Sequence, residues 1–124
     1  MLDNTIIFLD DSFWCHLDSC EYLRSIGLNV AEAYSAADAI ALIGEHTDLS
    51  GLVTDIELGD GPNGFEVARI ARTAYPHLPV VYISGTAAGR HELEGVNGAE
   101  FISKPFLPQQ IVEALSRAIY LEAA

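Results

Sequence analysis

The sequence predicts an α/β fold in which helices cover both faces of a parallel five-stranded sheet. Strand-like and helix-like segments alternate five times along the 124 residues, with short connections between them. The strand candidates are short apolar runs rich in β-branched residues, and the run PVVYIS is almost wholly apolar, as a strand covered on both faces should be. Half of the residues are hydrophobic, so a chain of this length can bury a core of its own. We therefore expect a single domain over residues 1–124.

The first half of the chain is predicted to form three strands and two helices. The strands are expected at residues 5–9, 28–33 and 51–55. The first helix should run from about residue 12 to residue 26, because Gly27 suits the position just after a helix end. Ser35 can cap the second helix, which runs to about Gly44, and Asp38 stands in the place of a capping-box partner.

The second half begins with a glycine-rich loop at residues 56–64, which precedes a helix that ends before Pro76. Strands are expected at residues 79–84 and 99–103, and Pro108 opens a last helix with one apolar stripe. The segment between these two strands is the weakest element of the prediction. It contains four glycines and offers few strong apolar anchors.

Composition and charge exclude several classes of function. The formal net charge is −12, which disfavours nucleic acid and anionic membranes and suits divalent cations and basic or mixed-charge protein partners. No apolar run approaches the roughly 20 residues that span a bilayer, and the N-terminus does not resemble a secretory signal. Cys15 and Cys20 would point about 140° apart on one helix and cannot bridge. Free thiols suit a reducing compartment, so we expect a cytoplasmic protein.

Polar side chains stand at the ends of four predicted strands. Asp10 and Asp11 follow the first strand, Asp55 ends the third, Ser84 ends the fourth and Lys104 follows the fifth. Because the carboxyl ends of parallel strands meet at one edge of a sheet, we expect these side chains to lie together.

The charges at this edge predict a bound cation. The three aspartates and nearby Glu57 carry more negative charge than Lys104 can balance, which is unfavourable in a partly buried crevice. Oxygen donors without histidine or cysteine favour Mg²⁺ or Mn²⁺ over Zn²⁺. Because Mg²⁺ commonly shares its shell with phosphoryl oxygens, the predicted chemistry is phosphoryl transfer to an aspartate nucleophile.

These residues resemble the motif of response-regulator receiver domains of two-component signalling. The resemblance covers roughly residues 5 to 121. The matching residues, in chain order, are Asp10–Asp11, Asp55, Ser84–Gly85 and Lys104–Pro105–Phe106. It implies a flavodoxin-like (βα)5 doubly wound sheet with strand order 2-1-3-4-5.

The resemblance also implies a role for each residue. Asp55 is the expected phosphoacceptor, assisted by Lys104 and Ser84. The expected Mg²⁺ or Mn²⁺ ligands are Asp11, Asp55, the backbone carbonyl of Glu57 and, through water, Asp10. The Lys104–Pro105 peptide bond is expected to be cis, which is inexpensive only before proline. Phe101 matches the aromatic residue that turns inward on activation.

Three features depart from the family pattern. The loop LGDGPNG is longer by one residue than usual, and its proline is displaced. Phe101 stands where tyrosine is commoner, so its effect on a partner would come from packing alone. Glu57 occupies a position whose side chain tunes the lifetime of the phosphorylated state in the family.

The implied function is phosphoacceptance from the phosphohistidine of a sensor histidine kinase or phosphotransfer protein. Such a protein assists its own phosphorylation and dephosphorylation but is not counted as an enzyme. The surface of residues 88–121 is expected to change shape, to bind a downstream protein partner and to offer a candidate dimer face. The first helix is predicted to carry two apolar stripes, one of Cys15, Ser19, Tyr22, Leu23 and Ile26 and the other of Phe13, Leu17 and Cys20, with Trp14 beside it. One stripe should pack on the sheet while the other, with Trp14 and Leu17, docks a kinase helix.

Other functions remain as alternatives. A receiver-like binding module that signals without phosphorylation would predict a gap in the Asp/Ser/Lys set, and there is none. A haloacid-dehalogenase-type phosphatase needs a D-x-D pattern, and a flavin carrier needs a Ser/Thr/Gly phosphate loop where DDSFWCH stands. The Met1 start argues against an internal receiver of a hybrid kinase. A stand-alone receiver and a piece cut from a longer chain are both compatible with the sequence.

Overall fold

The computed structural model describes residues 5–59, 61–85 and 94–123. The strands are β1 Thr5–Leu9, β2 Asn29–Ala33, β3 Leu49–Asp55, β4 Val80–Ser84 and β5 Glu100–Ser103. The helices in the described part of the chain are α1 Phe13–Ser25, α2 Ala36–Glu45, α3 Gly64–Ala74 and α4 Pro108–Ala123. Most of the weakly predicted segment after β4, residues 86–93, lies outside the described residues.

All five strands pair in parallel in the order β2-β1-β3-β4-β5, which confirms the predicted topology. Leu9 pairs with Thr54, so the residues that follow them, Asp10 and Asp55, lie side by side at the carboxyl edge. Ser84 pairs with Ser103, which places Lys104 at the same edge. The register of the sheet therefore brings the predicted site residues together.

Two apolar clusters, one on each face of the sheet, form the core. The side chains of β1 alternate between the faces, as the period of a strand requires. Ile7 and Leu9 pack with buried residues of α2 and α3, whereas Ile6 and Phe8 pack with those of α1 and α4. Helices on both faces confirm the doubly wound architecture. No helix in the described residues is long and apolar enough to cross a membrane.

The end of α1 has the glycine geometry that the sequence predicts. Gly27 adopts φ 97°, its N–H donates to Arg24 O at 3.1 Å, and Leu28 N–H donates to Leu23 O at 3.1 Å. These two bonds form a Schellman motif, which satisfies carbonyls that the helix itself leaves unpaired.

The helix starts differ from the prediction in one respect. Ser35 Oγ accepts from Asp38 N–H at 3.1 Å, but Asp38 Oδ2 accepts from Tyr34 N–H, so the return bond of a capping box is not made to Ser35. The reciprocal capping box lies instead at the start of α3, between Asn63 and Glu66.

The predicted stripes of α1 are wrong in part. The buried residues are His16, Ser19, Cys20 and Leu23. Cys20, in the predicted stripe with Phe13 and Leu17, lies in the core, while Ile26 of the other stripe is 48% exposed. The buried face includes His16, whose polar partners, Glu32 and the Asp10 carbonyl, the apolar pattern alone does not reveal.

Candidate functional site

The centre of the site is an ammonium between two buried carboxylates. Lys104 Nζ donates to Asp55 Oδ2 at 3.1 Å and lies 3.2 Å from Asp10 Oδ2. Asp10 and Asp55 are 0% and 4% exposed. Asp10 follows β1 and Asp55 ends β3, which are both inner strands of the sheet. This position explains why the two carboxylates are so little exposed to solvent.

The loops after β1 and β3 orient the two carboxylates. Asp10 Oδ1 accepts from Ser12 N–H at 2.8 Å, and Asp55 Oδ1 accepts from Glu57 N–H at 3.2 Å. Lys104 N–H donates to Ser84 O at 3.0 Å, and the Lys104–Pro105 peptide bond is cis. These backbone hydrogen bonds help to place the side chains of Asp10, Asp55 and Lys104 close together.

The electrostatics show an excess of negative charge. Burial, and then the charge of Asp10, raise the pKa of Asp55 to about 6 in spite of Lys104. Burial by itself lowers the pKa of Lys104, but the Asp10 and Asp55 carboxylates outweigh it and raise that pKa. Lys104 therefore stays charged, and a further cation would relieve the remaining repulsion.

The donor set fits a hard divalent cation. Asp10, Asp11 and Asp55 each present a carboxylate oxygen, and these oxygens lie within 4.8 Å of one another. Asp10 Oδ2 is buried, and its partner among the described residues is the Lys104 ammonium at 3.2 Å, in an ion pair that it shares with Asp55. Asp11 is exposed toward solvent. One ammonium cannot balance three neighbouring carboxylates, and oxygen donors of this kind are the ligands that Mg²⁺ prefers.

Glu57 makes a side-chain contact that the sequence does not predict. Ser84 Oγ donates to Glu57 Oε1 at 3.2 Å and lies 3.4 Å from Oε2. The resemblance implies that the backbone carbonyl of Glu57 binds the metal and that its side chain tunes the lifetime of the phosphorylated state, but it implies no contact with Ser84. In this structure its carboxylate also engages the hydroxyl that is expected to bind a phosphoryl oxygen.

Gly64 lies directly behind Asp55. A Cβ atom at this position would overlap the Asp55 carbonyl oxygen and approach Ile56 Cα to 2.9 Å. Gly64 N–H also donates to Ile56 O at 2.9 Å. The close packing of α3 on the end of β3 therefore requires glycine, and the glycine at the end of the LGDGPNG loop was the available signal.

Phe101 is partly buried and stacks on Tyr82, with ring centroids 5.2 Å apart. Tyr82 is fully buried, and its hydroxyl accepts from Val96 N–H at 3.1 Å. The sequence prediction did not include Tyr82, because in PVVYIS it reads as one more buried strand residue. The switching role of Phe101 stays a prediction.

The predicted partner residues form an exposed apolar surface beside the site. Trp14 is 74% exposed and Leu17 47%. A cavity of about 440 Å³ lies between the first turns of α1 and the Lys104–Phe106 segment, and Trp14 lines it. Lys104 of the acidic site lines the same cavity.

Comparison with known proteins assigns the family. The family model of the response regulator receiver domain matches residues 6–116. The chain belongs to this family. A response regulator receiver protein from Sinorhizobium medicae superposes on this receiver domain with a TM-score of 0.89 and 36% identity, over 95% of each chain. A CheY-like receiver domain from Methanospirillum hungatei, with TM-score 0.80 and 23% identity over 99% of this chain and 98% of that one, shares its fold.

The curated relatives are longer proteins. A putative NtrX-like response regulator from Rickettsia typhi is 29% identical over 116 residues, which are 91% of this receiver domain and 24% of the relative. The receiver domain thus spans about a quarter of the length of that relative.

Proposed function

We propose that this receiver domain accepts a phosphoryl group on Asp55 in a Mg²⁺-dependent reaction. The observation that supports this proposal is the arrangement at the carboxyl edge, where Lys104 Nζ lies 3.1 Å from Asp55 Oδ2 and 3.2 Å from the buried Asp10 Oδ2, with the Asp11 carboxylate beside them. The family makes a phosphohistidine of a sensor histidine kinase or phosphotransfer protein the expected donor.

In the proposed reaction an Asp55 carboxylate oxygen forms a bond to phosphorus while the bond from phosphorus to the donor histidine nitrogen breaks. Asp11, Asp55, the Glu57 carbonyl and, through water, Asp10 would hold the cation. When bound, Mg²⁺ neutralises charge on the phosphoryl oxygens. Lys104 supplies a second positive charge to the same oxygens. Water later cleaves the acyl phosphate, so the domain is a phosphoacceptor that assists its own reactions.

Ser84 must change partner during this cycle. Its hydroxyl donates to Glu57 before the reaction and would donate to a phosphoryl oxygen afterwards. In the proposed switch, Ser84 moves toward Asp55 and Phe101 turns into the vacated space. The surface of residues 88–121 then differs between the two states, and we propose it as the site for a downstream protein partner or for a second copy of the domain.

The exposed face of α1 is the proposed kinase-docking surface. Replacing Trp14 and Leu17 together with serine should slow phosphotransfer from the cognate kinase without affecting labelling by acetyl phosphate, because a small donor needs no docking surface. The exposed Ile70 of α3, replaced by serine, is the matched control. A doubly substituted protein that folds and accepts phosphoryl groups from the kinase at the wild-type rate would refute the docking role.

The proposed function is tested by acetyl phosphate with and without Mg²⁺, on the wild type and on Asp55→Asn. We expect Mg²⁺-dependent labelling of the wild type and none of the variant. Equal labelling of the two proteins would exclude Asp55 as the acceptor. A wild type that stays unlabelled by acetyl phosphate and by a cognate kinase would favour the binding module that signals without phosphorylation.

A further inference from the structure

A buried histidine lies beneath the acidic site and contacts its backbone. His16 of α1 is 1% exposed, and its Nε2 lies 2.7 Å from the carbonyl oxygen of Asp10. We propose that His16 is a positioning residue that orients the Asp10–Asp11 peptide and thereby sets the affinity of the site for Mg²⁺. This inference rests on the proposed function, since it concerns the same cation site.

The hydrogen bond from His16 acts on the peptide group that joins Asp10 to Asp11. A carbonyl oxygen can only accept, so Nε2 carries the proton in this hydrogen bond. The carbonyl belongs to the planar peptide that joins Asp10 to Asp11, so holding it holds the peptide plane. Asp10 N–H donates to Ala33 O at 3.2 Å, and Ser12 N–H donates to Asp10 Oδ1 at 2.8 Å. With His16, three hydrogen bonds fix the backbone that aims both carboxylates.

The imidazole is itself held from several directions. Its Nδ1 lies 2.9 Å from Glu32 Oε1 of β2, and the Tyr34 ring stacks on it with centroids 3.9 Å apart. Phe8 of β1 meets the ring edge-on at 5.0 Å. Glu32 is held in turn, because Arg24 contacts its Oε2 at 2.9 Å. The direction of the Nε2–H bond is therefore set by contacts with α1, β1, β2 and the residue after β2, and not by the acidic loop.

The cluster of His16, Cys20 and Glu32 is poorly suited to bind a metal ion. His16, Cys20 and Glu32 have potential ligand atoms near one another. However, the 2.9 Å between Nδ1 and Oε1 is shorter than the about 3.3 Å that separates two ligands of a tetrahedral zinc ion. Burial, and then the charge of Glu32, raise the pKa of the Cys20 thiol to about 12, which opposes the thiolate that a metal needs. The contacts are those of a hydrogen-bonded cluster.

The decisive experiment compares His16→Gln with His16→Asn. The glutamine amide nitrogen reaches about as far as Nε2 and can still donate to the Asp10 carbonyl, whereas asparagine is too short and can reach only toward Glu32. Mg²⁺ dissociation constants are measured by isothermal titration calorimetry without a phosphodonor. We expect His16→Asn to weaken Mg²⁺ binding about tenfold or more, as loss of groups that orient metal ligands does, and His16→Gln to stay within about threefold.

Kinetics provide a readout that general destabilisation would not reproduce. The labelling rate with acetyl phosphate should be restored in His16→Asn by saturating Mg²⁺, because the defect is in cation affinity. Should His16→Asn fold poorly, Glu32→Gln, which retains the shape of the cluster, takes its place and should weaken Mg²⁺ binding in the same direction. Equal Mg²⁺ affinity in His16→Gln, His16→Asn, Glu32→Gln and the wild type would overturn the inference.

The outcomes separate this inference from the proposed function. A wild type that binds Mg²⁺ but is never labelled would refute phosphoacceptance and leave the role of His16 intact. A wild type that is labelled normally, with variants of unchanged Mg²⁺ affinity, would refute only the role of His16. Zinc binding by the wild type that Cys20→Ser abolishes would show that the cluster is a second metal site and would also overturn the inference.

Discussion

At the residue scale, the site is governed by the imbalance between its carboxylates and Lys104. Asp10 and Asp55 are both buried, and the Lys104 ammonium is shared between them. The raised pKa of Asp55 is the measurable sign of this imbalance. Any change that removes one carboxylate should therefore relieve repulsion when the cation is absent.

Asp55 should lower the stability of the metal-free protein as the pH rises. Its pKa is about 6 in the folded state against an ordinary value of 3.8, so the folded protein holds a proton that the unfolded chain releases between those values. The contribution of this proton to the free energy of unfolding is complete below about pH 4 and is lost as the pH rises through 6. In EDTA at pH 7.5, Asp55→Asn should then be more stable than the wild type by about 1–3 kcal/mol.

Thermal unfolding from pH 4 to pH 8 checks this expectation. The difference in Tm between Asp55→Asn and the wild type should grow between about pH 4 and pH 7 and stay constant above that. Glu113→Gln, at an exposed position of α4, makes the same change of charge away from the site and should show no such growth. A difference independent of pH would mean that Asp55 titrates normally.

The contact between Glu57 and Ser84 should restrain phosphorylation. Glu57→Ala releases the Ser84 hydroxyl and removes a negative charge near the incoming phosphoryl group, so labelling by acetyl phosphate should become about two- to tenfold faster. Glu57→Gln removes the charge but keeps an acceptor for Ser84 and should lie between Glu57→Ala and the wild type. Initial rates at saturating Mg²⁺ measure the effect, and wild-type rates in both variants would contradict it.

At the element scale, α3 packs so closely against the end of β3 that its first residue has no space for a side chain. The helix begins at Gly64, where the capping box between Asn63 and Glu66 fixes the direction of the chain. The glycine lies against the Asp55 carbonyl with no space for a side chain. The start of α3 and the position of the phosphoacceptor are therefore coupled.

Gly64→Ala should destabilise the domain and slow phosphorylation. The added methyl group forces the Asp55 backbone or α3 to shift, at a cost of about 1–3 kcal/mol. For a domain of this size the Tm should fall by about 4 °C or more. Gly44→Ala in α2 is the matched control, because a Cβ there meets nothing within 4 Å, and it should stabilise the helix by up to about 1 kcal/mol. A Gly64→Ala protein as stable as the wild type would refute the coupling.

At the scale of the whole molecule, cation binding should appear as global stability. A ligand that binds only the folded state at 100 times its Kd adds about 2.7 kcal/mol to the free energy of unfolding. Mg²⁺ at pH 7.5 should therefore raise the Tm by several degrees, and EDTA should reverse the effect. Asp11→Asn should lose most of this rise, whereas the control variant Glu113→Gln should keep it. No shift at millimolar Mg²⁺ would argue against the cation site.

The sequence was sufficient to predict the sheet and the meeting of the site residues. Parallel strands bring their carboxyl ends to one edge, so Asp10, Asp55 and Lys104 could be placed together without knowing any side-chain conformation. The strand order could not be predicted in this way, because apolar periodicity does not determine it. It came from the family resemblance. The strand β3 begins at Leu49, whereas the sequence predicts a start two residues later, at Gly51, because Ser50 does not resemble a strand residue.

The contacts that refine the site could not be predicted from the sequence. The Ser84–Glu57 hydrogen bond depends on two rotamers and on the path of the loop after β3. The role of His16 depends on the rotation of α1 and on Glu32, which lies on a different element 16 residues away in sequence. Patterns of apolar spacing carry no information about such polar partners.

The pairing of β1 with β3 also limits which insertions and deletions the protein can tolerate. Leu9 stands opposite Thr54, and side chains alternate between faces along each strand. Deleting or inserting a single residue within Thr5–Leu9 would turn its apolar side chains to the wrong faces and separate the carboxylates that follow. Length variation should be tolerated in the turn that precedes α3 but not inside the two central strands.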